Sequence, residues 1–236
     1  MKFEYYLLIS LLKLTANGVV DKEILIKDAK IPELKATELI DYLQNEDLIF
    51  LDKHDVCLTG ESRVKIALLS LNFGADLECL SKYLHWKEFE DFTSVALEKS
   101  GYSVWKNVRF KHEGTRYEID VIGCRKPLVI CIDCKHWSRR IGSSALNKIV
   151  QAQKRRTESL AKSLPNKSLQ LECIRWGEAK FLPAILSLIP SNCKMVNKVP
   201  VFSILQIRDF LTQLPIEIDS FNPFIQTFKT LQQMQT

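Results

Sequence analysis

The sequence predicts an α/β protein in two parts: a small helical module, then a core in which a mixed central sheet is flanked by helices. Three observations support this. Residues 1–74 carry apolar residues at helical spacing around one short hairpin. After residue 86 the pattern becomes helix, three strand runs, helix, two strand runs, helix. The 236 residues are 46% hydrophobic and 26% charged, with only 8 Gly and 8 Pro, so a sizeable core and no long low-complexity linker are expected.

In the first module, "FEYYLLISLLKL" reads as a helix, and Asp21 is suited to cap the helix of "KEILIKDA". "PELKATELIDYLQNEDLI" opens with Pro32 at a first-turn position and is expected to carry Leu34, Ile40 and Leu43 on one stripe. "LIFL" and "VCLT" flank the polar turn "DKHD" as two short strands, and "GESRVKIALLSLNFG" closes the module as a helix ending at Gly74. This order resembles a winged helix-turn-helix, with residues 35–44 in the place of a recognition helix. That segment carries Glu33, Glu38, Asp41 and Glu46 against Lys35, which is poor bait for phosphate. The module therefore contacts either DNA or protein, as a docking or dimerisation unit of the same shape.

Residues 75–85 read as a helical connector and residues 86–236 as the second domain. "WKEFEDFTSVALEKSG" is an amphipathic helix stopped by Gly101, with Trp86, Phe89, Thr93, Ala96 and Leu97 inward. Glu88, Asp91 and Glu98 fall on its outer side, whereas Glu90 sits at the margin of the apolar stripe. "YSVWKNVRF", "TRYEIDVIG" and "KPLVICIDCKHW" read as strands joined by "KHEG" and "CRKP". "SSALNKIVQAQKRRTESLAKSL" is a long helix with Gln153 within its inward stripe and Arg156 at its edge. "AKFLPAILSL" and "VPVFSILQ" are strands, and "IRDFLTQL" is the last helix.

The apolar run "YYLLISLL" is too short to span a bilayer and lacks the features of a signal peptide. A soluble, cytoplasmic protein is expected, without membrane or nucleotide cofactor. Seven cysteines fit a reducing compartment. Cys131 and Cys134 point to opposite faces of a strand, which disfavours a shared zinc with Cys124 and Cys173. The net charge of +5 permits a polyanionic partner without requiring one.

The chemistry is concentrated where charges interrupt the best strands. Asp120, Asp133 and Lys135 stand inside apolar runs, and charged groups are rarely buried unless paired or metal-bound. Asp133 and Lys135 share a strand face. Antiparallel pairing through "CRKP" brings Asp120 close to Asp133, so two carboxylates and an ammonium converge at one end of the sheet. Leaving such ions unpaired costs several kcal/mol each. A hard divalent cation relieves that cost, and Mg²⁺ takes carboxylate oxygens with its remaining positions filled by water and phosphate.

Glu in a helix, then Asp, then Asp-x-Lys on the next strand resembles the PD-(D/E)xK nuclease superfamily. "WKEFEDFTSVALEKSGYSV", "YEIDVIG" and "VICIDCKHW" are similar in order and spacing to Mrr-like restriction endonucleases and archaeal Holliday-junction resolvases. Ile119 precedes Asp120 in place of the family's Pro, and Asp133 stands where Glu is more frequent. The resemblance implies a restriction-endonuclease-like core, a Mg²⁺ or Mn²⁺ cofactor, and a DNA endonuclease. It implies Asp120, Asp133 and the Cys134 backbone carbonyl as metal ligands, and Glu90 as ligand to a second metal or a metal-bound water. Lys135 is implied to orient or deprotonate the attacking water and to stabilise the phosphorane. Gln153 matches the polar residue on the helix after the lysine strand. His136, Trp137, Arg139, Arg140 and Arg156 supply groups for neighbouring phosphates and an exposed base. Rival readings are a winged-helix DNA-binding regulator on a non-catalytic nuclease-like scaffold, and an RNA endonuclease. Family members that cut both strands often form homodimers, although no surface in the sequence identifies an interface.

Overall fold

The computed structural model describes residues 3–137, 141–166, 169–188 and 194–228. The chain divides into two compact units, Met1–Phe92 and Thr93–Thr236. In the first, helix α1 (Phe3–Leu14) is followed by strand β1 (Val20–Asp21), α2 (Lys22–Ala29) and α3 (Glu33–Asn45). A hairpin of β2 (Phe50–Asp52) and β3 (Asp55–Cys57), α4 (Gly60–Asn72) and the short α5 (Leu77–Leu80) complete it before α6 (Trp86–Lys99), which crosses the division. Asp21 caps α2 by accepting from the amides of Glu23 and Ile24. Strand β3 lies between β1 and β2 in an antiparallel sheet.

Two helical stripes differ from expectation. Leu34 is 71% exposed, and α3 instead buries Ala36, Ile40 and Leu43. Trp86, the first residue of α6, is 60% exposed, while Phe89, Thr93 and Leu97 are buried. Helical spacing fixes the angle of a side chain but not how much of the helix length is covered. Glu88 is not a plain surface charge either: its Oε1 accepts from the Arg63 guanidinium at 2.6 Å, and Arg63 is only 3% exposed. Arg63 also donates to Thr15 Oγ1 and the Tyr83 carbonyl, so one buried cation ties α4 to three other segments of this unit.

The second unit is built on β4 (Ser103–His112), β5 (Thr115–Arg125) and β6 (Leu128–Lys135), followed by α7 (Ser143–Ser163) and β7 (Glu178–Ser187). Strands β8 (Met195–Val196) and β9 (Val199–Ser203), helix α8 (Ile207–Glu217) and β10 (Phe224–Thr227) close it. Among the described residues the sheet runs β4-β5-β6-β7-β9-β8, with β10 added antiparallel to the start of β7. The first three strands form an antiparallel meander, and β6, β7 and β9 are parallel, so the sheet is mixed. Helix α7 covers one face, where Leu160 and Ala161 meet Ile122, Val129, Cys131 and Phe181. Leu97 of α6 covers the other: a Cβ on Gly123 would sit 3.1 Å from Leu97 Cδ2 and from Ile130 Cγ2. The missing side chain at Gly123 is what lets that helix approach. This is an α/β, restriction-endonuclease-like architecture. Strands β1, β8 and β10 were not legible as strands: β1 and β8 are two residues long, and β1 and β10 pair with distant sequence.

Candidate active site

The site sits at the end of the β5–β6 hairpin. Its two-residue turn fixes the register from Arg125↔Leu128 to Val121↔Ile132, which places Asp120 across from Asp133. The ladder stops one pair short of them. In continued register Cys134 would face Ile119, yet its amide donates to Asp120 Oδ2 at 2.8 Å. The carboxylate thus replaces a strand carbonyl. In a hydrogen-bonded antiparallel pair a residue's N–H and C=O point to the same edge, so the Cys134 carbonyl is directed to Asp120's side as well.

Asp133 is 3% exposed. Its Oδ1 accepts from Lys135 Nζ at 2.9 Å and from Arg156 Nη1 at 3.1 Å. Among the described residues, its buried Oδ2 has no hydrogen-bond partner. Burial raises the Asp120 pKa above the ordinary carboxylate range; the Cys134 amide opposes that rise, the nearby Asp133 charge adds to it, and Lys135 and Arg156 oppose it more weakly. The structure therefore brings Asp120, Asp133, Lys135, Arg156 and the Cys134 backbone together.

Gln153 is fully buried and donates to the Cys131 carbonyl at 2.8 Å, which ties α7 to the backbone of β6. Its Oε1 lies 3.4 Å from Arg156 Nη1, so it borders the guanidinium that reaches Asp133. Glu90 is buried on α6, three residues ahead of Thr93. Thr93 and the Cys134 thiol meet at 3.7 Å. Cys131 lies on the opposite face, in the apolar cluster under α7. Burial raises its thiol pKa, and the hydrogen bond with Cys173 raises that of Cys124, so both stay protonated. His136 and Trp137 are half-buried, the latter packed against Leu146, Val150, Ile185, Val199 and Val201. Arg139 and Arg140 lie outside the described residues. The pairing of Arg156 with Asp133 was not anticipated; the only sequence signal was its position at the edge of the inward stripe.

Among the described residues no group of three or more His, Cys, Asp or Glu side chains gathers to hold a metal. Two carboxylates and a backbone carbonyl are nevertheless a donor set suited to Mg²⁺, which commonly binds through one or two carboxylates and keeps several waters. The buried Asp133 Oδ2, which has no partner among the described residues, is the observation that fits such a cation.

Residues 81–163 match a family model of the Mrr catalytic type, described as a restriction endonuclease. The matched segment contains Asp120, Asp133, Lys135, Gln153 and Arg156. This stretch is thus similar to the catalytic domain of Mrr-type restriction endonucleases. An uncharacterised protein of Archaeoglobus fulgidus is 27% identical over 139 residues, covering 58% of this chain and 98% of its own. Protein VC1899 from Vibrio cholerae aligns over 92% of this chain with a TM-score of 0.45 and 15% identity. Can2 from Sulfobacillus thermosulfidooxidans, solved with cyclic tetra-adenylate, aligns over 91% with a TM-score of 0.36 and 14% identity. The chain spans 52% and 51% of the lengths of those two structures. No described helix is long and apolar enough to cross a membrane.

Proposed function

We propose that the protein is a divalent-metal-dependent DNA endonuclease that hydrolyses phosphodiester bonds at the end of the β5–β6 hairpin. The reading rests on one observation: inside the matched nuclease segment Asp120 and Asp133 converge beside Lys135, and the buried Asp133 Oδ2 has no partner among the described residues. Asp120, Asp133 and the Cys134 carbonyl would hold Mg²⁺ or Mn²⁺. When bound, that ion supplies a nucleophile at neutral pH and charge compensation at the phosphoryl oxygens.

The chain's own groups do the rest. Lys135 is 2.9 Å from Asp133 Oδ1, close enough to orient the attacking water and offset the negative charge that develops on the phosphoryl oxygens. Arg156 and His136, with Arg139 and Arg140, are assigned to neighbouring phosphates. Glu90 keeps the role implied by its place in the motif, holding a second metal or a metal-bound water. Gln153 acts by fixing α7 to β6. Selectivity is assigned to the first unit, through DNA or protein contact.

The test is a cleavage screen with Mg²⁺, Mn²⁺, Ca²⁺ or chelator on duplex, methylated, forked and four-way-junction DNA, with RNA alongside. Cleavage of DNA with Mg²⁺ or Mn²⁺ and binding without cutting in Ca²⁺ are expected. Full activity in excess chelator overturns the metal assignment, and cleavage of RNA alone overturns the DNA assignment.

A further inference from the structure

Strand β4 contains a backbone irregularity at the position opposite the candidate metal ligand. Asn107 has φ 51°, in the left-handed region. Among the described residues, the other non-glycine residues with positive φ sit in turns or just past helix ends; Asn107 lies inside a strand. Lys106 pairs with Val121 and Val108 with Ile119, so Asn107 stands directly across from Asp120, and that one pair is missing from the ladder. The β5–β6 ladder also ends at Val121↔Ile132. Both ladders that flank Asp120 are thus open at Asp120.

The consequence is visible in the core. Residues two apart share a strand face, and residues three apart do not. Ile119 and Ile122 nevertheless lie in the same apolar cluster beneath α7, as do Val108 and, packed against it, Trp105. Strands β4 and β5 therefore turn over together between those residues, at Asn107 and Asp120. Strand side chains ordinarily stand perpendicular to the sheet. Asp120, at the turnover, instead reaches the backbone amide of Cys134 on the adjacent strand.

We propose that Asn107 is a positioning residue for Asp120: its left-handed backbone holds the turnover that aims the Asp120 carboxylate between β5 and β6, at Cys134 and Asp133. This rests on the reading of Asp120 as a metal ligand. Asn is one of the few residues other than Gly that enter this region readily, whereas β-branched residues are outliers there. Asn107 is exposed, so its identity is not set by core packing.

The test uses the full chain with Asn107→Gly, which keeps the conformation, and Asn107→Val, which opposes it. Three quantities are measured: hydrogen exchange of the Cys134 amide in metal-free protein, Mn²⁺ affinity by calorimetry without nucleic acid, and single-turnover cleavage. Asn107→Gly is expected to stay within about twofold of wild type in all three. Asn107→Val is expected to lose about tenfold in Cys134 protection and in Mn²⁺ affinity, the scale of the left-handed penalty, with a fall in cleavage rate that added Mn²⁺ partly restores. If Asn107→Val does not fold, Asn107→Ala carries the same comparison with a smaller, severalfold loss. Wild-type Cys134 protection in a folded Val or Ala variant overturns the proposal. If wild type itself neither binds Mn²⁺ nor cleaves, the nuclease reading fails, and the exchange difference at Cys134 still decides the role of Asn107.

Discussion

Arg156 Nη1 lies 3.1 Å from Asp133 Oδ1, the same oxygen that Lys135 Nζ meets at 2.9 Å. Two cations thus serve one carboxylate oxygen while the other is buried and has no partner among the described residues. In metal-free protein this pairing offsets the cost of burying Asp133. A divalent cation at Asp133 competes with that arrangement, since like charges disfavour one another.

Arg156→Gln should therefore separate stability from metal affinity. Lys135 remains, and the Arg156 side chain is 32% exposed, so the loss in chelator should be about 1 kcal/mol rather than that of a fully buried pair. Mn²⁺ affinity should rise severalfold, and saturating Mn²⁺ should recover the lost stability. Thermal unfolding with and without Mn²⁺ checks both. Unchanged stability together with unchanged affinity would show that Arg156 does not hold Asp133 in solution.

Asp120→Asn should remove a pH dependence. Burial raises the Asp120 carboxyl pKa in the folded protein. Between the unfolded and the raised folded value the native state binds more protons, so wild-type stability falls as pH rises through a window just above the ordinary Asp range. Asn cannot ionise and still offers an oxygen to the Cys134 amide. In chelator the variant should gain on wild type as pH rises through that window, and the gain should disappear below it. Nuclease activity should be abolished. Parallel stability curves for the two proteins would show that Asp120 is not desolvated.

Arg63→Ala tests the buried network of the first unit. Arg63 is 3% exposed, and removing it strands Glu88, whose side chain is 13% exposed. Breaking such a pair costs about 3–5 kcal/mol. Adding Glu88→Gln should recover part of the loss, because the uncompensated charge goes with it. Calorimetry of the single and double variants provides the comparison. A double variant as unstable as the sum of the two singles would assign the loss to packing rather than charge.

The convergence of Asp120 and Asp133 was legible because it depends on local quantities: a short hairpin turn sets the register, and the strand period puts Asp133 and Lys135 on one face. Gln153 was legible for the same kind of reason, as the polar residue inside an apolar helical stripe. What Arg156 touches depends on the rotation and height of α7 over β6, which no local period encodes. Leu34, Trp86 and Glu88 were misplaced because angular position does not reveal where coverage stops. The left-handed Asn107 left one trace, an Asn in a strand run that otherwise favours β-branched and aromatic residues.

Lys135 separates chemistry from binding. Its ammonium is held by Asp133 Oδ1 at 2.9 Å, and its side chain is 30% exposed, so it is both tethered to the candidate metal ligand and open to solvent. Lys135→Ala should lower single-turnover cleavage by a factor on the order of 10² or more, the scale of a positioned acid–base or charge-stabilising group. Mn²⁺ affinity should hold or rise, because a cation beside the site has gone while Arg156 still balances Asp133. Nucleic-acid affinity should change little, because the other cationic groups assigned to the phosphates remain. Lys135→Arg keeps the charge but not the compact ammonium, so it should restore stability without restoring the rate. A purely structural lysine gives the reverse pattern: reduced stability in the alanine variant with near-normal cleavage per folded molecule, and rescue of both by arginine. Unimpaired cleavage by Lys135→Ala would remove Lys135 from the reaction and leave the two carboxylates to carry it.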